Sequence, residues 1–157
     1  MTSNRIAAVV VAARHVRLSA AHLEILFGPG TALVDVCALP PTGTFASAAV
    51  VDVSGAAGGA ALKSVRVVGP LVKSTELRVN ARDAAAAGLV AGAGCTLEGP
   101  RGTVVLAAGV TVGLRRLGLT AEALALNALT TGSVTNVTVR GERERELRDV
   151  PVAMAAS

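Results

Sequence analysis

The run Arg14-His15-Val16-Arg17-Leu18-Ser19 follows an apolar segment, residues 6–13, and sets a histidine and an arginine two positions apart. On an extended backbone such residues share a face. Two histidines at this spacing would grip a metal from one side. Arg17 stands at the second position, and a guanidinium keeps its proton and offers no lone pair. The chemistry left to the pair is that of anions, which a guanidinium holds with a planar fork of donors.

His15 is one of two histidines, the other being His22. Beside arginines, His15 reads as a general acid or base of lowered pKa, or else as an imidazole bonded to a backbone carbonyl. Arg17 and Arg78 would bind a carboxylate or an enolate, or pair with Asp83, Glu76 or Glu98. Lys73 and Thr75 follow Gly69-Pro70 and would meet an anionic head group, the alternative being a solvated loop. Cys37 and Cys95 have no CxxC partner and read as small buried hydrophobes in a reducing compartment. Cys95 as a nucleophile lacks a histidine near it in sequence. The glycines of 88–94 lack the spacing of a phosphate loop.

Composition narrows the classes. The 157 residues are 52% hydrophobic, enough for one domain or two small packed ones. Phe27 and Phe45 are the only aromatics, which argues against stacking platforms for single strands or sugars. The net charge is +4, from scattered arginines without a basic stripe. An anionic small molecule fits this better than nucleic acid. No stretch approaches the ~18 apolar residues of a membrane helix, and no cleavable leader is evident. The expectation is a cytoplasmic protein.

The elements that must position these residues are mostly short strands, bounded by Gly, Pro, Ser or Thr. They are expected over 5–14, 47–54, 62–69, 74–80, 102–109, 110–115, 133–141 and 146–154. Three helices are expected: 19–28 capped by Ser19 and stopped by Gly28, 80–88 capped by Asn80 and stopped by Gly88, and 120–132 capped by Thr120. Residues 54–61 read as a flexible hairpin tip. The frame of residues 14–23 recurs over 115–124, as Arg-x-apolar-x-Leu-(Ser/Thr)-Ala-x-x-Leu. The fold expected is all-β with short helices: two pseudo-symmetric small β-barrels in one compact unit, roughly 1–90 and 91–157, with a site where the two repeated turns meet.

The blocks "VVAARHVRLSAAHLEILFGPG", "LPPTGTFAS", "VRVVGPLVKSTELRVNARDAAAAGL", "LEGPRGTVVLAAGVTVGLRRLGLT" and "RELRDVPVAM" resemble, in order, those of the PduL-type phosphate propanoyltransferases (phosphotransacylases). The resemblance spans nearly the whole chain. It implies tandem β-barrels, two zinc ions, coenzyme A and phosphate as substrates, and self-association. The family's first motif is similar to Arg-His-Val-His-Leu-Ser, and only His15 of its imidazoles remains. Its second resembles Arg-His-Ile-His-Met, where this chain reads Arg115-Arg116-Leu117-Gly118-Leu119. Val72 stands where the resemblance puts a catalytic arginine, and Arg78 where it puts a carboxylate ligand.

Zinc needs three or four N, S or O ligands, and several of the implied positions carry Arg or Gly. The expectation is therefore a metal-free enzyme without a cofactor, zinc and coenzyme A being the alternative. Its catalytic residues would be His15, Arg17 and Arg78. Arg14, Lys73, Thr75, Arg115 and Arg116 would bind a hydrophobic, acidic small molecule at an apolar pocket. The leading expectation is cyclisation, cycloaddition or isomerisation in secondary metabolism, such as polyketide tailoring. Phosphate acyl transfer from short acyl-CoA and a non-catalytic relative are the other readings, and a homodimer is expected.

Overall fold

The structure, a computed structural model, describes residues 14–39, 42–113 and 116–154. They fall into two units, one closing at Gly113 and the other holding 116–154. Residues 91–113, drawn into the second half from sequence, contribute strands to the sheet of the first unit. The all-β class holds: eleven strands and three short helices make up the described elements.

In the first unit the order is β1 (His15–Arg17), α1 (Ala20–Phe27), β2 (Asp35–Leu39), β3 (Thr44–Gly55), β4 (Leu62–Gly69), β5 (Glu76–Asn80), α2 (Ala81–Ala87), β6 (Cys95–Glu98), β7 (Thr103–Leu106) and β8 (Val110–Gly113). One sheet carries all eight strands along the path β7-β6-β3-β4-β1-β5-β8, with β2 on the flank of β3. The strands at its two ends, β7 and β8, are joined by residues 107–109 alone. That connection spans at most about 14 Å from strand to strand. The two ends of the path must therefore approach each other, and the sheet curls into a half-barrel.

Alternation decides what the curl encloses. Val16, Val53, Val67, Leu77 and Leu97 are fully buried, and Leu23, Leu26 and Ala87 join them from the helices. The residues between them on the strands face outward, because successive side chains point to opposite faces. With no Trp or Tyr in the chain, β-branched and leucine side chains dominate the interior, and each is worth about 1.5–3 kcal/mol when buried.

The helices begin where the caps foretold. Ser19, Asn80 and Thr120 accept backbone N–H groups of the first turns of α1, α2 and α3 (Ala121–Leu126). Helix α3 stops at Leu126, with Asn127 as its cap, rather than running on through Gly132. The strand expected over 5–14 lies outside the described residues but for Arg14, and 15–17, expected as a turn, is strand β1. The sequence also missed β2, β6 and β9 (Leu117–Leu119), three to five residues each. Short strands carry too few alternations to register as a period. The tip at 54–61 is docked rather than free: the Ala60 amide donates to the Ala86 carbonyl at 3.1 Å.

In the second unit, β9 and α3 are followed by β10 (Val134–Val139) and β11 (Arg145–Met154), in a three-stranded sheet of order β10-β11-β9. Leu119, Leu124 and Val152 form its small core. The repeated frame thus builds the same element twice, a three-residue strand running into an N-capped helix: β1 with α1 and β9 with α3.

Candidate functional site

Strand β1 lies between β4 and β5, parallel to the first and antiparallel to the second. Its register is specific. His15 faces Arg66 on β4 and Arg78 on β5, while Arg17 faces Glu76. Arg78 in turn faces Thr111 on β8. Register partners share a face, with Cβ atoms about 4.5–5.5 Å apart. Val16, Val67 and Leu77, the intervening residues, point into the core. The outer face therefore carries a row of Arg66, His15 and Arg78, with Arg17 one step along.

The charges in this row are unequally compensated. Arg17 pairs with Glu76 at 3.8 Å, a loose contact between half-exposed groups that contributes little to stability. Arg14 pairs with Asp83 of α2 at 3.3 Å, which fixes the entry to β1. Arg66 donates from Nη1 to the Ser47 carbonyl at 2.9 Å. Arg78 has no carboxylate partner among the described residues. The Nε of Arg17 is buried and has no hydrogen-bond partner among the described residues, an uncommon state for a buried polar atom.

A second cluster escaped the sequence reading. Thr75 is buried, and its Oγ1 accepts the Ser19 amide at 2.9 Å. Its proton faces His22 Nδ1 at 2.7 Å and Ser19 Oγ at 3.4 Å. The hydroxyl donates to one of these two groups, and the tautomer of His22 sets which way the shorter bond runs. Thr75 thus ties the first turn of α1 to the segment entering β5. Lys73, two residues earlier, is exposed and makes no ion pair among the described residues. Neither Arg66 nor His22 stood out in the sequence, since both are identified by partners more than 40 residues away. Replacing Thr75 by Val keeps the shape but orphans the Ser19 amide. We expect a loss of about 1–3 kcal/mol in denaturant unfolding, largely restored in Thr75→Ser. A change below about 0.5 kcal/mol would show that the tie carries no weight.

Arg115 lies outside the described residues. Arg116 is exposed ahead of β9 in the second unit. The cysteines divide: Cys95 is buried, its thiol pushed up to about 11 by burial, whereas Cys37 is exposed, against expectation. β2 is exposed along most of its length, so a small apolar residue there finds no core to enter. A thiol held near 11 is a poor nucleophile at neutral pH.

The metal implied by the resemblance does not fit these residues. Among the described residues no three of His, Cys, Asp and Glu come together. His15 has guanidiniums as register partners on both sides, and a divalent cation there would meet repulsion.

Two clefts of the first unit lie away from the arginine row. One of about 490 Å³ lies at the end of α1, between Glu24, Phe27 and Arg101. Another of about 260 Å³ lies between Val50, Asp52 and Glu98. Neither is lined by His15, Arg17, Arg78, Lys73 or Thr75. The row is a sheet face, because its residues alternate outward from strands whose other face fills the core. No helix among the described residues is long and apolar enough to cross a membrane.

Residues 8–157 match the family model described as phosphate propanoyltransferase. A phosphate propanoyltransferase of Rhodobacter capsulatus is 34% identical over 154 residues, covering 92% of this chain and 71% of the relative. One of Rhodopseudomonas palustris is 32% identical over 158 residues, covering 94% and 69%. One of Thermotoga maritima is 34% identical over 119 residues, covering 69% and 56%. These relatives overturn the leading expectation from sequence. Cyclisation, cycloaddition or isomerisation of a polyketide has no counterpart among them, and the reading that stood second is the one they favour. The loss of metal donors had been taken as a change of reaction, whereas the match to the phosphotransacylases runs over residues 8–157 of this chain.

Proposed function

This chain belongs to the phosphate propanoyltransferase family, and from that membership we propose that it transfers a short acyl group between coenzyme A and inorganic phosphate. The observation that carries the reading is the register that sets His15 between Arg66 and Arg78. A phosphate oxygen attacks the thioester carbonyl, the C–S bond breaks, and the electron pair leaves with sulfur. The products are an acyl phosphate and coenzyme A. Two guanidiniums offset the charge of the phosphate and of the tetrahedral oxyanion, and preorganised donors of this kind are each worth about 10²–10³ in rate. His15, between them, gives a proton to the departing sulfur and regains one from the attacking hydrogen phosphate. Lys73 meets the anionic groups of coenzyme A.

The test is phosphate-dependent loss of thioester absorbance from propionyl-CoA. The expected result is turnover that requires phosphate and falls at least about a hundredfold in Arg78→Ala. Turnover without phosphate, or none with acetyl- or propionyl-CoA, overturns the reading. A non-catalytic anion-binding relative is the second reading, favoured by the lack of a three-donor cluster among the described residues. It predicts phosphate binding with no thioester loss.

A further inference from the structure

We propose that the outward row on β4, β1 and β5 binds a phosphate-class dianion directly, guanidiniums standing where the family's resemblance places metal donors. The inference deepens the proposed acyl transfer and rests on it for the identity of the anion. Three observations converge. The first is placement: His15, Arg17 and Arg78 occupy positions where the resemblance puts an imidazole, an imidazole and a carboxylate, and the register brings all three to one face with Arg66. The second is charge: three arginines meet one register-paired carboxylate, Glu76, and Arg78 meets none among the described residues. The third is an unmet donor: Arg17 Nε is buried without a hydrogen-bond partner among the described residues. An N–H of this kind points to an acceptor that the described residues do not supply.

A tetrahedral dianion fits this row. It offers several acceptor oxygens, and arginine forks bind phosphate in two-pronged fashion. The site differs from the arginine that the resemblance assigns to catalysis, since that position is Val72 here. A cationic sheet face is a poor home for zinc and a good one for phosphate. Metal would be excluded by the same charges that hold the anion.

The experiment is calorimetric titration of the full chain with inorganic phosphate, after exhaustive chelation and again with added zinc. We expect binding in chelator, unchanged by zinc, weakened by rising salt, and lowered at least about tenfold in Arg78→Ala. Arg78→Lys keeps the charge and should recover part of the affinity, and thermal melting confirms that each variant is folded. Binding that appears only with zinc overturns the inference, as does no binding, or full binding in a folded Arg66→Ala/Arg78→Ala double variant. The thioester assay is read in the same samples, so the two ideas fail separately. Acyl transfer that requires zinc sinks the inference and leaves the transferase reading standing. Metal-independent phosphate binding without acyl transfer does the reverse.

Discussion

Leu77→Ala is expected to lower the unfolding free energy by about 2–5 kcal/mol, the range for a buried leucine truncated in a packed interior. Leu77 is fully buried and sits in register with Val16 on one side and Val110 on the other. It is therefore the residue through which β1, β5 and β8 share a core. Its two register partners, Val16 and Val110, are β-branched and stiff at χ1 and cannot swing in to fill the gap. Its chain neighbours, Glu76 and Arg78, face the other way, into the cationic row. Phosphate affinity should therefore weaken along with stability, although Leu77 touches no ligand. Urea unfolding followed by circular dichroism measures the first effect. Val105→Ala on the exposed face of β7, where the side chain is 77% accessible, is the control and should stay within about 0.5 kcal/mol. Equal losses in the two variants would mean that the register does not place Leu77 in the core.

Gly88→Ala is the second large effect, expected at about 2 kcal/mol or more. Gly88 closes α2 in the left-handed region at φ 65° and ψ 33°, where an ordinary residue costs roughly 1–2 kcal/mol. A Cβ there would also overlap the Gly58 carbonyl oxygen. That oxygen belongs to backbone at the tip of the β3–β4 hairpin, held down by the Ala60 amide on Ala86. It cannot rotate away as a side chain would, so the tip must lift from the helix. Gly92→Ala separates the two causes. Gly92 has φ +78° with nothing within 4 Å of its would-be Cβ, so its substitution carries the conformational strain alone. Should both alanines cost the same, the docking of the tip would contribute nothing.

Much of the architecture was legible because it is written in local chemistry. Ser19, Asn80 and Thr120 cap helices since a side-chain oxygen can reach an amide two or three residues on. Gly88 ends α2 because only glycine enters the left-handed region freely. Alternating valines gave β4 and β10 nearly residue for residue, since a period of two reports one buried face. That Arg17 and Arg78 cannot ligate a metal follows from residue type alone, since a guanidinium offers no lone pair.

Partners far apart in the chain were left to the tertiary structure. Arg66 looked like any exposed strand residue until the parallel pairing of β1 with β4 set it opposite His15, 51 positions away in sequence. Thr75 reads as a loop hydroxyl until α1 brings His22 and the Ser19 amide to it. The cysteines differ for the same reason: Cys95 lies inside the curl of the sheet and Cys37 on a strand at its flank. Composition and periodicity specify which residues want burial and where the chain turns. Which strand lies beside which is decided by the closure of the whole sheet around its core, and that register determines the charges that share a face.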